Sequence, residues 1–162
     1  MSAVLSDDKL YRCVLQRVLA GEGLIYAFFG VNPSTADASL DDATVRKWIG
    51  FVRRWGGSRF LVGNAFAYRS TQVRRLAEVS DPIGPDNARY LQRIADVADV
   101  LVPCWGDSGK LPRELRPQLD AVMLMLMRSG KPVRTFGYTN AGDPKHPLML
   151  PYSTALVDRL AA

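Results

Sequence analysis

The chain has 162 residues, 48% of them hydrophobic and 23% charged, with 21 basic and 16 acidic side chains giving a formal net charge of +5. That length suits one domain with a core large enough to stand without staples, so residues 1–162 are read as a single α/β unit. Two distant cysteines, Cys13 and Cys104, and a lone histidine exclude a disulfide framework, an iron–sulfur cluster and a zinc site; no metal or cofactor is expected, and a reducing cytoplasm fits best.

The first ten residues carry Asp7 and Asp8 and no long apolar run, so they are not read as a signal peptide. Lys9 to Val18 is β-rich, Ala20-Gly21-Glu22-Gly23 is a turn signal, and the apolar run Leu24 to Phe29 follows at once. A β-hairpin joining these two strands is the simplest account. The second strand stops at Gly30-Val31-Asn32-Pro33-Ser34, where Gly30 permits a special backbone angle and Pro33 ends the pairing. Two readings stand for this stretch: an ordinary turn, or a ligand loop at the end of a sheet strand.

Asp41-Asp42 is a helix-start signal. Val45, Trp48, Ile49, Val52 and Trp55 then recur at helical spacing, and Gly56-Gly57 closes the helix. Arg59 to Phe66 reads as a buried strand with one polar intruder, Asn64, which either pins a neighbouring loop or reads a ligand edge. A short helix is expected over Thr71–Val79, capped by Ser70 or Thr71. Another runs from Asn87 to Ala98, with Pro85 in its first turn. The strand from Asp99 to Trp105 ends in Gly106-Asp107-Ser108-Gly109. A long, deeply packed helix is expected from Pro112 to Arg128, and its methionines read as core filler. Pro132 to Gly137 reads as a last strand, followed by a Gly- and Pro-rich loop carrying His146. The most apolar helical stretch, Leu119 to Met127, is far too short to cross a bilayer, and no membrane partner is expected.

Alternating strands and helices predict a three-layer sandwich around a mostly parallel sheet of about four to five strands, with an N-terminal β-hairpin. Parallel strands would gather Asn32, Asn64, Trp105-Gly106 and His146 along one edge. Glycine-rich dinucleotide and P-loop motifs are missing, as is a nucleophile elbow for a serine hydrolase. What remains is amides, one histidine, aromatics and arginines: groups that read a base edge, stack a flat ring and stabilise a leaving anion. The arginines cluster (Arg46, Arg53, Arg54, Arg59, then Arg69, Arg74, Arg75), which permits nucleic-acid binding and equally fits a solvated helix face.

Four blocks in order resemble the uracil-DNA glycosylase superfamily. Gly30-Val31-Asn32-Pro33-Ser34 is similar to the Gly-x-Asn-Pro motif of its mismatch-specific branch. The strand holding Asn64, the strand ending in Trp105-Gly106, and His146-Pro147-Leu148 are similar to its later motifs. More narrowly, Tyr11 to Pro151 resembles the DUF1643 family, through Asn-Pro-Ser-Thr-Ala-Asp, Asp-Asp-Ala-Thr, Phe-Val-Arg-Arg-Trp-Gly and His-Pro-Leu-x-Leu-Pro.

The wider resemblance implies a uracil-DNA glycosylase-like fold and hydrolysis of the N-glycosidic bond of a mismatched, deaminated or modified base by base flipping. Asn32 would position water and His146 would stabilise the departing base. Asn64 would bind the base edge in a pocket walled by Gly30, Val31, Pro33, Ser34, Phe66 and Trp105. Arg53, Arg54, Arg69 and Lys145 would contact phosphates, and Leu148 or Met149 would wedge into the duplex. The strongest family members carry an acid where this chain has Asn32, so slow turnover or a labile substrate is expected. Asp37 is the carboxylate left to assist, because Asp41 and Asp42 sit where a cap is needed. The expected partner is DNA, or a nucleobase or nucleotide, and the expected state a monomer. The alternatives are a non-catalytic nucleic-acid or nucleotide-binding module, tied to phage defence or modified-base metabolism, and an enzyme acting on nucleosides. A continuous basic stripe at the pocket mouth separates DNA from the nucleoside reading.

Overall fold

The computed structural model describes residues 2–159. Five strands form one sheet: β1 (Ser2–Leu5), β2 (Arg12–Val18), β3 (Ile25–Gly30), β4 (Arg59–Asn64) and β5 (Val100–Pro103), in the order β1-β2-β4-β3-β5. β4, β3 and β5 run parallel, whereas β1 and β2 are antiparallel to their neighbours. The sheet is therefore mixed rather than mostly parallel. The sequence explains the division. Apart from their edge-facing first residues, Ile25-Tyr26-Ala27-Phe28-Phe29-Gly30 and Arg59-Phe60-Leu61-Val62-Gly63-Asn64 are buried throughout, as strands covered on both faces must be.

The expected hairpin between β2 and β3 is not formed, because β4 lies between them. The backbone N–H groups of Leu19 and Ala20 both donate to the Ser58 carbonyl (2.8 and 2.9 Å), and Ser58 N–H donates to Leu24 (3.0 Å), so the connection straddles the start of β4. The N-terminal hairpin is instead β1 with β2.

Three helices cover the sheet: α1 (Ala43–Arg54), α2 (Asn87–Val97) and α3 (Pro117–Arg128). Val45, Trp48, Phe51 and Val52 of α1 pack with Phe28, Phe60, Val102 and Phe136 on one face. Leu91 and Ile94 of α2 pack with Leu119, Val122 and Leu126 of α3 and with Phe29 and Leu101 on the other, which makes the three layers. Phe28 stacks on Trp48 with ring centroids 5.1 Å apart. Truncating a fully buried phenylalanine such as Phe28 removes roughly 3–5 kcal/mol.

Several boundaries differ from expectation. α3 begins at Pro117, not Pro112; proline lacks the N–H that a first-turn residue does not need, and a short 3-10 turn over Arg113–Leu115 precedes it. This helix is packed on one face only: Leu124 is 49% exposed and Met127 37%. The segment Thr71–Val79 forms a 3-10 turn at Val73–Glu78 rather than an α-helix. Of the expected strand Pro132–Gly137, only Arg134–Thr135 (β6) pairs, with Val157–Asp158 (β7), and a single parallel bridge from Val133 to Leu101 touches the main sheet.

This topology brings unlike elements to one edge. β3, β4 and β5 end there; β2, being antiparallel to β4, begins there with Arg12; and α1 starts there after its return from β3.

Candidate ligand-binding site

A cavity of about 440 Å³ opens at this edge. Its size lies within the usual range for small-molecule sites. It is lined from β3 by Gly30, Val31, Asn32 and Ser34, from β4 by Asn64, from β5 by Trp105 and Gly106, and from the late loop by His146, Leu148 and Met149. The four strand-end segments singled out by the sequence thus share one wall. Arg12, Asp42, Trp48 and Lys110 are among the other residues around the cavity.

Close packing sets the geometry. A Cβ on Gly30 would stand 2.9 Å from Asn64 Oδ1, so glycine is what lets the amide lie against β3. Gly106 has φ +78, a left-handed angle, and a Cβ there would meet His146 Cβ at 3.1 Å. Its N–H donates to the Pro144 carbonyl (2.8 Å), which ties the His146 loop to the end of β5. On the far side of β4, Asn87 Nδ2 donates to the carbonyls of Asn64 (2.9 Å) and Ala65 (3.2 Å), holding the strand end in place.

Asn64 is 4% exposed, and its Nδ2 has no hydrogen-bond partner. The loop-pinning reading of this residue is therefore not what the geometry shows; Asn87 does that work. Asn32 is different. Its Nδ2 donates to the carbonyls of Ser70 (2.7 Å) and Pro33 (3.1 Å), so the amide nitrogen holds two loops together and the oxygen is what it offers a ligand.

His146 Nδ1 accepts the Leu148 N–H at 3.3 Å. A nitrogen that accepts is unprotonated, so Nε2 carries the proton and is a donor. Partial desolvation of the ring lowers the imidazole below the usual histidine pKa; the Asp42 charge opposes this and the Lys110 charge adds to it, while the side chain still reaches solvent. With Nδ1 accepting from Leu148, Nε2 is the donor that His146 offers the cavity.

Other expected site residues lie elsewhere. Asp37 does not line the cavity: its Oδ1 accepts from Ser39 N (2.8 Å), Ser39 Oγ (3.0 Å) and Leu40 N (2.9 Å), and these bonds hold its carboxyl below the usual range. Phe66 is fully buried in the core with Leu76 and Leu111, and Pro33 is buried behind the wall. Arg53 and Arg54 stand exposed at the far end of α1; at 1.5 Å per residue, Arg53 is about 12 Å along the axis from Val45. Arg54 instead lies 5.3 Å from the Tyr152 ring. Arg69 borders the site through Ser70 and Thr71, donating to the Lys9 carbonyl (3.3 Å). Lys145 is exposed outside the lining, while Leu148 and Met149 sit at the mouth, 40% and 89% exposed.

Among the lining residues that escaped the sequence reading are Arg12, Lys110 and Trp48 in its polar capacity, while Asp42, read there chiefly as a cap, is a cavity group as well. Asp42 caps α1, accepting Val45 N–H at Oδ1 (2.9 Å), and is also the lining carboxylate whose charge reaches His146. Arg12 is 3% exposed and forms no ion pair among the described residues. The Trp48 indole N–H has no hydrogen-bond partner of ordinary geometry, although it leans on the Cys104 thiol. Burial pushes that thiol up to about 12, so Cys104 is no nucleophile. The signal for Arg12 was present: an arginine opening an apolar strand whose antiparallel course starts where the ligand edge lies.

Fold and site together define an α/β protein with a polar-based, aromatic-walled pocket at the carboxyl edge of its parallel strands. The chain belongs to the DUF1643 family, described as a protein of unknown function, whose model matches residues 12–148. No curated protein and no solved structure matches it. The likeness to uracil-DNA glycosylases rests on the four motifs alone. Among the described residues no helix is long and apolar enough to cross a membrane, and no cluster of candidate metal ligands occurs.

Proposed function

We propose that this cavity recognises a nucleobase and that the protein is glycosylase-like, hydrolysing an N-glycosidic bond. The observation that carries the reading is the convergence of Asn32, Asn64, Trp105-Gly106 and His146 on one wall. The unpartnered Asn64 amide suits the donor and acceptor edge of a base. Trp48 and Trp105 offer flat apolar walls. His146 donates from Nε2 to negative charge developing on the departing base. Asn32 is an amide and cannot deprotonate water, so the carboxylate of the reaction is Asp42: Oδ1 caps α1, and Oδ2 orients the attacking water toward an oxocarbenium-like sugar.

The test is release of free base from a panel of nucleosides, nucleotides and oligonucleotides carrying uracil, mismatched or modified bases. Asp42→Asn and His146→Gln are each expected to slow release by about 100-fold or more. Binding without release anywhere in the panel supports the second reading, a non-catalytic nucleotide-binding module. One observation favours that alternative: both lining carboxylates already accept backbone N–H groups, Asp42 from Val45 and Asp107 from Gly109 (2.8 Å).

A further inference from the structure

Among the described residues Arg12 and Arg17 are the buried charged side chains, and Arg12 is the one of the two without an ion pair. Its side chain is 3% exposed, yet no carboxylate of the described residues lies within ion-pair distance. Nη1 donates to the Ala36 carbonyl, and Nε has no partner at all. Burying an uncompensated guanidinium costs several kcal/mol. Burial lowers its pKa to about 10, and the neighbouring Arg69 and Arg17 charges add to that; Asp42 and Asp37 oppose it from a distance. Asn64 Nδ2, the other unpartnered amide donor on the cavity, is taken by the base edge in the reading above, and the Trp48 indole N–H rests on the Cys104 thiol. A cationic ligand would worsen the Arg12 charge, whereas an anion compensates it.

We propose that Arg12 is a phosphate anchor within the cavity, so that the ligand is a free nucleoside monophosphate that enters whole, rather than a base flipped from a DNA duplex. This rests on the nucleobase reading above and narrows its substrate. Size agrees, since about 440 Å³ is far more than a lone phosphate needs. Reach agrees too. A flipped nucleotide leaves its phosphates in the surface backbone, where a side chain 3% exposed cannot meet them. The cations suited to a duplex are elsewhere: Arg53 and Arg54 lie at the far end of α1 and Lys145 outside the lining. Lys110 lines the cavity with Arg12, and Arg69 borders it through Ser70 and Thr71; these three do not extend to Arg53, Arg54 or Lys145 as a continuous basic stripe.

Isothermal titration calorimetry on the full chain tests this with deoxynucleoside 5′-monophosphates, the matching nucleosides, deoxyribose 5-phosphate and a DNA duplex. The expected result is nucleotide binding at least about tenfold tighter than nucleoside binding, the scale of one charge-assisted contact. Arg12→Gln should bring nucleotide affinity down to the nucleoside level and leave nucleoside affinity unchanged, with Arg12→Lys in between. Equal affinity for nucleotide and nucleoside in the wild type overturns the anchor and leaves the base reading standing. Deoxyribose 5-phosphate binding without nucleoside binding does the reverse. Tighter binding of duplex than of monophosphate, or equal loss of both ligands in Arg12→Gln, also overturns the anchor. Should Arg12→Gln fail to fold, sulfate competition on the wild type decides: it must weaken nucleotide binding and spare nucleoside binding, and equal weakening contradicts the proposal.

Discussion

Arg12 and Arg17 leave the same strand and are both almost fully buried, at 3% and 1% exposure, yet their surroundings are opposites. Arg17 pairs with Asp41 at 2.7 Å and also donates to the carbonyls of Gln16 (2.9 Å), Asp37 (2.6 Å) and Leu40 (3.4 Å). It staples the 37–42 loop to the sheet and so sets where α1 begins. Arg12 has one carbonyl partner and an unpartnered Nε. A buried charge that the fold has satisfied is a structural device. One that it has left wanting, beside a cavity, is a place held for a ligand.

The largest expected effect breaks the satisfied member. Arg17→Met should cost about 3 kcal/mol in urea unfolding, toward the low end of values for a broken buried pair because Asp41 remains 24% exposed. If the loss is under about 1 kcal/mol, the staple is not one. Arg12→Gln should sharpen the contrast, since it removes a buried uncompensated charge: stability is expected within about 1 kcal/mol of wild type, or higher. A loss as large as that of Arg17→Met would show that the two arginines do the same job.

Gly106→Ala comes next. At φ +78 the strain is about 1–2 kcal/mol, and the added methyl presses on His146 Cβ. Unfolding should show that loss together with weaker nucleotide binding; unchanged binding would separate the β5 turn from His146 positioning. The smallest effect is a pH dependence. His146 has a folded pKa below its unfolded value of about 6.5, so the folded state binds fewer protons and the stabilisation is fully present above that pH. It is lost as pH falls through 6.5 toward the folded pKa. Thermal midpoints from about pH 7.5 to about pH 5 should therefore fall less steeply in His146→Gln than in wild type, and parallel slopes would contradict the assignment.

The same contrast explains what could be read from the sequence. β3, β4, α1 and the cap at Asp42 were legible because apolar runs, helical spacing and capping residues act locally. Asn32, Asn64 and Trp105 gather because the parallel strands β3, β4 and β5 end together, whereas His146 arrives from a loop outside the main sheet, tied to the end of β5 by the Gly106 N–H bond to Pro144. Strand order was not legible: nothing local in Gly21–Gly23 says that β4, formed later in the chain, inserts beside β2. The roles of charged residues were read least well. Asp37 serves its own turn, Arg53 and Arg54 stand at the end of α1 remote from the cavity, and Arg12 was passed over because an arginine in a strand pattern looks like a solvated edge until its burial is known.

The central claim is that the carboxyl edge of β3, β4 and β5 is a nucleotide pocket. It is tested most directly by following backbone amide NMR shifts while a deoxynucleoside monophosphate is titrated in. The account predicts saturable shifts confined to the amides of Arg12, Gly30–Asn32, Ser34, Asn64, Trp105–Gly106, His146, Leu148 and Met149. Saturable shifts centred instead on the α2–α3 groove around Leu124 and Arg128, or no saturable shift with any of the common bases, would contradict it.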